Sequence, residues 1–546
     1  CNSALLGNFI TTKKTYMRQI FTLLLCCIIF KANAATTITA GTLSSAHWTL
    51  TGSPYKITGH IIVANNDSLV IDPGVVVEFQ GRYKLFCNGK IIANGTPSQH
   101  ILFTVPVANQ SIGWLGIRYD NTPTTNGASS FMYCTIEYGN ADVSGDNSGG
   151  GMYFNNFSKC TISNSVIRNC HANVGGAVSC NSSSPTFLQD TFYNNSSNVG
   201  GNCLDLLYSS SVIDSCMFTG KGVYCMYSSI KVTNCYFNKC TNQGGVASFS
   251  SPGSGYVEIA HNVFDSCTQQ NGGGGGGVLL SNAQGKIEHN IFKKCVAISS
   301  GGGAISCWTQ TSSSNSSNVL ISNNLIYGNK SLMINGTGTT FGGGAISLSN
   351  CSGKVINNTI ANNTADTAGG GIVCIGGSSP SFHNNIIYYN TTKAGVENIF
   401  ILDNASDPNF YNNDIQGGYA GINTNGTPLI SANVNNIDSL PNFTNPSAGN
   451  YTLNTGSPCI DKGDITAIAS KIPSKDLGGA VRVMGGKIDM GCYESLGSIP
   501  CDSPTNLRVN PITSTTAVVS WDTTTTAIGY EYYILTHPST TPGTAV

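Results

Sequence analysis

One phrase returns from about residue 150 to about residue 390, and it leaves few folds open. Gly301-Gly-Gly-Ala-Ile-Ser306 precedes Ile321-Ser-Asn-Asn-Leu-Ile-Tyr-Gly-Asn329. Gly342-Gly-Gly-Ala-Ile-Ser347 precedes Val355-Ile-Asn-Asn-Thr-Ile-Ala-Asn-Asn363, and Gly369-Gly-Gly-Ile-Val-Cys374 precedes Phe382-His-Asn-Asn-Ile-Ile-Tyr-Tyr-Asn390. The large apolar residue closing the second piece sets a register through Ile167, Phe192, Phe218, Phe237, Phe264, Phe292, Ile326, Ile360 and Ile387, at intervals of 19 to 34 residues. Such spacing marks a repeat architecture. Each unit is too short and too rich in glycine to bury a core alone, so neighbours must stack. Short strands without intervening helices, coiling at this period, predict an all-β parallel β-helix.

Two equivalent positions fall at fixed offsets from the register. Two residues before it stand Ser165, Asp190, Cys216, Cys235, Asn262, Asn290, Asn324, Asn358 and Asn385, which predicts an asparagine ladder bonded from rung to rung. Three residues after it stand Cys170, Asn195, Lys221, Cys240, Cys267, Cys295, Asn329, Asn363 and Asn390. Stacked rungs lie about 4.8 Å apart, so Cys240, Cys267 and Cys295 could pair as disulfides. A ladder of buried free thiols packs equally well and is the preferred reading. Lys231, Glu258 and Lys286 form an outward row of alternating charge.

Three of the 21 cysteines precede Ala34, leaving 18 in the remainder. No spacing suits zinc, and no metal or other cofactor is expected. Charged residues make up only 10% of the chain and the formal net charge is −1, so there is no electrostatic case for nucleic acid. Residues 17–34 read as an export signal: a basic start, an apolar run of about ten residues, and Ala32-Asn33-Ala34 at the end. The run is too short for a membrane span. Residues 1–16 read as an upstream extension, and the exported chain is expected to start near Ala35 and to be monomeric.

Several stretches carry resemblances. Residues 35–110, with Leu69-Val-Ile-Asp-Pro-Gly-Val-Val-Val-Glu-Phe79, resemble the amino-terminal cap of secreted bacterial right-handed β-helix proteins. Residues 111–400 hold the repeats. From about 149 to 390 their Gly-Gly and Phe-x-x-Asn pairing resembles the polymorphic outer-membrane-protein repeat, although several copies replace Asn with Cys. That resemblance implies an adhesive passenger region at the cell surface. Residues 401–500, through Gly456-Ser-Pro-Cys-Ile-Asp-Lys-Gly-Asp464 and Ile488-Asp-Met-Gly-Cys-Tyr-Glu494, look like the terminal segment that closes such helices. In that setting Cys459 and Cys492 are candidate disulfide partners. Asp461, Asp464, Asp476 and Asp489 are read as caps, with an Asp–Arg482 contact, in preference to a calcium site. Residues 501–546, with Trp521 and Tyr530, resemble the first half of a fibronectin type III module.

Chemistry is harder to find. Parallel β-helices host pectate lyases and polygalacturonases, which need paired carboxylates or an Arg or Lys base. Asp190, Asp205, Asp214, Glu258, Asp265, Glu288, Asp366 and Glu397 are scattered, and Arg168 has no acidic cluster beside it in sequence. His261 and His289 share one rung position and are expected as an outward stack. Gly272–Gly277 satisfies a dinucleotide motif trivially, with no strand–helix unit to support it. Tyr193, Tyr388, Tyr389, Tyr411 and Tyr419 could stack on sugars. No catalytic residue is assigned. The expected role is binding of surface glycans or of molecules on neighbouring or host cells, by a secreted, outer-membrane-associated or extracellular protein. A polysaccharide lyase or hydrolase, and a passive spacer, are the alternatives.

Overall fold

The computed structural model describes residues 35–495 and 505–522, apart from 201, 252–254, 271, 311–316, 334–341, 429, 467, 485 and 514. The expected extension, export signal and most of the fibronectin-like module, Tyr530 included, lie outside the described residues.

Three parallel sheets of 15 strands each run the length of the coil, and the chain visits them in turn. Thr36–Ile38, Gly41–Leu43 and Ala46–Trp48 make the first rung, while Asp414–Ile415, Ile422–Thr424 and Asn433–Val434 end the three sheets. Crossovers between parallel neighbours are right-handed, and the molecule is a right-handed parallel β-helix. The segment expected to cap it over residues 35–110 is itself coiled into these sheets in unbroken register, Thr36 beside Tyr55 and Tyr55 beside Val77.

The register residues form one interior column, Ile167 beside Phe192 and so on to Ile360 beside Ile387. Every one is fully buried. Phe192, Phe218, Phe237, Phe264 and Phe292 stack ring on ring at 4.7–4.9 Å, which is the rung spacing itself. Hydrophobic burial therefore holds the pitch as well as the core.

The corners explain the Asn-Asn pairs. The residue before each ladder position turns the chain in the left-handed region, with φ between 50° and 58° at Asn164, Gln189, Ser215, Asn234, His261, His289, Asn323, Asn357 and Asn384. Asparagine tolerates that conformation better than most side chains. The next residue then points inward. The glycine runs have another cause. A Cβ on Gly303 would sit 2.0 Å from the carbonyl oxygen of Gly344, and one on Gly344 would sit 1.9 Å from that of Gly370. Successive rungs touch backbone to backbone there.

Residues 441–495 do not plug the end of the coil. They fold back across the outer face of the first sheet, where Phe443, Tyr451, Leu453, Cys459, Met490 and Cys492 pack on Leu325, Ala361, Ile386 and Tyr388. Hydrogen bonds tie the segment down, from the Asn357 side chain to Asp489 O (3.1 Å) and from the Cys492 N–H to Thr359 Oγ1 (3.1 Å). Separately, Thr505–Ile512 and Ala517–Asp522 form an antiparallel pair that carries Trp521.

Candidate functional site

The predicted ladders are structural. Asn262, Asn290, Asn324, Asn358 and Asn385 are buried, each accepting at Oδ1 from the preceding rung, for example from the Asn290 N–H to Asn324 at 2.9 Å. The ladder runs further than expected, through Asn413 and Asn436. Cys235 feeds into its start, donating its N–H to Asn262 Oδ1 at 2.8 Å. Cys240, Cys267 and Cys295 hold the second corner, and the Cys295 N–H hands over to Asn329 Oδ1 at 2.8 Å. No disulfide joins the described cysteines, all of which are buried. Burial pushes the Cys267 and Cys295 thiols well above their ordinary range, so they pack as small apolar groups.

The Cys459–Cys492 bond suggested by the resemblance is not made. Neither is in a disulfide: Cys459 Sγ donates to Asp414 Oδ2 at 3.1 Å, and the Cys492 backbone N–H donates to Thr359 Oγ1 at 3.1 Å. Arg482 is fully buried, and its ion-pair partner is Glu494 at 2.9 Å rather than an aspartate. Asp476 and Asp489 do act as caps, accepting the N–H groups of Ala480 and Glu494, and of Asp461 and Ser495. His261 and His289 stack at 4.8 Å, but His289 is buried under the carboxy-terminal segment, with Nε2 at 2.9 Å from Lys475 O.

The scattered acids are mostly committed. Glu258 lies 3.4 Å from both Lys231 and Lys286, as the alternating row predicts. Asp265 pairs with Lys293, and Asp366 with Lys393. Asp190 sits inside the ladder, accepting from Ser165 and Leu188. Arg168 is not the isolated cation the sequence suggests. The adjacent rung brings Glu137 to 2.6 Å, and the Tyr193 hydroxyl accepts from Nη1 at 2.6 Å. The tyrosines do not form one surface, because Tyr388 is buried, Tyr411 stacks on His383 and Tyr193 serves Arg168.

Several concavities lie along the coil among the described residues, and two of the polar ones were not read from the sequence. One, of about 510 Å³, lies at the carboxy-terminal end of the coil, lined by Tyr388, Val396, Asn398, Gln416, Gly417, Ala420, Gly421, Asn423 and Asp438. Asn423 and Asp438 are exposed on its wall. The buried Asp414, pushed up to about 6 by burial, is not part of that wall and is occupied by Ser439 and Cys459. The cleft therefore offers a single carboxylate. The other cavity, of about 130 Å³, lies beside the second sheet and is lined by Lys84, Phe86, Arg118, Asp120, Gly145, Asp146, Asn147, Ser148 and Tyr153. Its charged groups come from three separate stretches and meet only because rungs stack. The one signal in the sequence is an arginine within the short strand Ile117–Asp120. Among the described residues, no group of three or more His, Cys, Asp or Glu is placed to hold a metal ion.

No family model matches the chain, and no curated protein matches it. Among solved structures, the crystal structure of pectate lyase Pel9A is similar at 15% identity, with a TM-score of 0.26, over 79% of this chain and 88% of that one.

Proposed function

We propose that this is a glycan-binding β-helix of a bacterial surface, exported and without chemistry of its own. The observation that carries the reading is the open carboxy-terminal cleft. Its volume of about 510 Å³ is in the range of small-molecule sites. Asn423 and Asp438 present an amide and a carboxylate that can donate to and accept from sugar hydroxyls. Tyr388 supplies an aromatic edge on the same cleft. Hydrolysis would need two carboxylates flanking the bond, and only Asp438 is on the wall. Abstraction of a proton would need an unoccupied base. Arg168 and Lys84 are held in ion pairs, and Arg118 is buried with two hydrogen bonds to backbone carbonyls.

The test is to pass the purified full chain over immobilised neutral and acidic polysaccharides while assaying for unsaturated products and new reducing ends. Retention without new chain ends is expected. Asp438→Ala should weaken it about tenfold, the worth of one hydrogen bond to a charged group. New chain ends would establish the lyase or hydrolase instead. Absence of retention on every polymer would leave the spacer.

A further inference from the structure

The small cavity beside the second sheet contains a cation whose environment is incomplete. Arg118 is 2% exposed. Nε donates to Leu115 O at 2.5 Å, Nη1 donates to Ser148 O, and Nη2 has no hydrogen-bond partner. Among the described residues no carboxylate pairs with it directly. Asp146 is taken by Lys84, at 2.9 and 3.2 Å, and Asp120 Oδ1 accepts from the Asn121 and Asn155 amides at 2.8 and 2.7 Å. The Tyr153 ring lies 5.7 Å from the guanidinium. A buried arginine has lost its hydration, and two neutral carbonyls return only part of it. The cavity beside it, about 130 Å³, has the volume of about four waters.

We propose that this cavity binds the carboxylate end of a small hydroxy acid, with Arg118 as the cationic donor and Tyr153, Asn147 and Lys84 along the walls. The charge of the site selects the class. Two cations and two carboxylates line it, so a singly charged anion is accommodated where a phosphate or sulfate would meet Asp120 and Asp146 at double charge. Those same carboxylates are acceptors, which favours a ligand carrying hydroxyl donors. A free hydroxy acid and the terminal sugar acid of a glycan share this chemistry. The site lies on the early rungs and is independent of the carboxy-terminal cleft.

Ligand-observed NMR titration of the full chain with D-glucuronate, acetate and glucose tests the proposal. Glucuronate should bind saturably, acetate should displace it, and glucose should do neither. Glucuronate binding at least about tenfold tighter than acetate shows that the hydroxyls are recognised, and equal affinities would overturn the hydroxy-acid assignment. Arg118→Lys keeps the charge but loses the planar fork, and should weaken glucuronate about tenfold. If that variant shows no cooperative melting, Tyr153→Phe decides, with about threefold weakening expected from the lost hydroxyl. Asp438→Ala should leave this binding intact. The proposal is overturned if neither acid binds saturably, if Tyr153→Phe and a folded Arg118→Lys both bind as the parent does, or if Asp438→Ala abolishes binding.

Discussion

Asp205 has no hydrogen bond or ion pair among the described residues, and burial alone pushes its carboxyl up to about 6. Its neighbours across the sheet are Ser179 and Tyr224. An acid whose pKa is higher folded than unfolded keeps its proton in the native state while the unfolded chain releases it. Stability is then full below about pH 4, falls as pH rises to about 6, and stays lower above that. The penalty at neutral pH is up to about 3 kcal/mol. Asp205→Asn should raise the urea midpoint at pH 7 and flatten the fall between pH 4 and 6. His383 slopes the other way, because burial, with Lys354 adding to it, pushes it down to about 4. The comparison of parent and variant therefore isolates Asp205. An unchanged pH profile in the variant would refute the assignment. Nothing in the sequence distinguishes Asp205 from Asp214, which Thr233 and Asn234 satisfy, because burial and partners depend on the adjacent rungs.

At the scale of elements, the corner is the unit that repeats. One residue turns in the left-handed region and the next sends an amide inward to both neighbouring rungs. Asn324 is typical. Its Oδ1 accepts from the N–H and side chain of Asn290, and its side chain donates to Ile287 O and Asn358 Oδ1. Asn324→Ala would leave a buried backbone N–H and a buried carbonyl without partners, and should cost about 2–4 kcal/mol. Urea unfolding measures this directly, and a loss under about 0.5 kcal/mol would mean that the amides are not the link between rungs. Five positions of this ladder were readable beforehand because asparagine repeats at one offset. Asn413 continues the same spacing, 28 residues after Asn385 and two before Ile415, whereas Asn436 is followed at the register position by Asp438 instead of an apolar residue, and only the continued stacking places it.

Over the whole molecule, rungs communicate only with their neighbours, so damage should remain local. Gly344→Ala forces a Cβ against the Gly370 carbonyl. Hydrogen exchange should then rise in the rungs around residues 301–375 while the strands from Thr36–Ile38 to Val263–Asp265 keep their protection. Uniform loss along the coil would show a single cooperative unit instead. The carboxy-terminal segment breaks this nearest-neighbour rule, since it spans several rungs on the outer face of the first sheet and buries His289 beneath it. A motif match places that segment last in the chain without saying which face it covers. The sequence by itself determined the coil, the interior column of Phe and Ile, and the identity of the corners, because those rest on periodic burial and on local backbone preference. Only the tertiary structure decided that Arg168 meets Glu137, that Cys459 turns to Asp414, and that Lys84, Arg118, Asp146 and Tyr153 share one cavity. Contacts between rungs join residues some 20 to 60 positions apart, and each insertion shifts which ones meet.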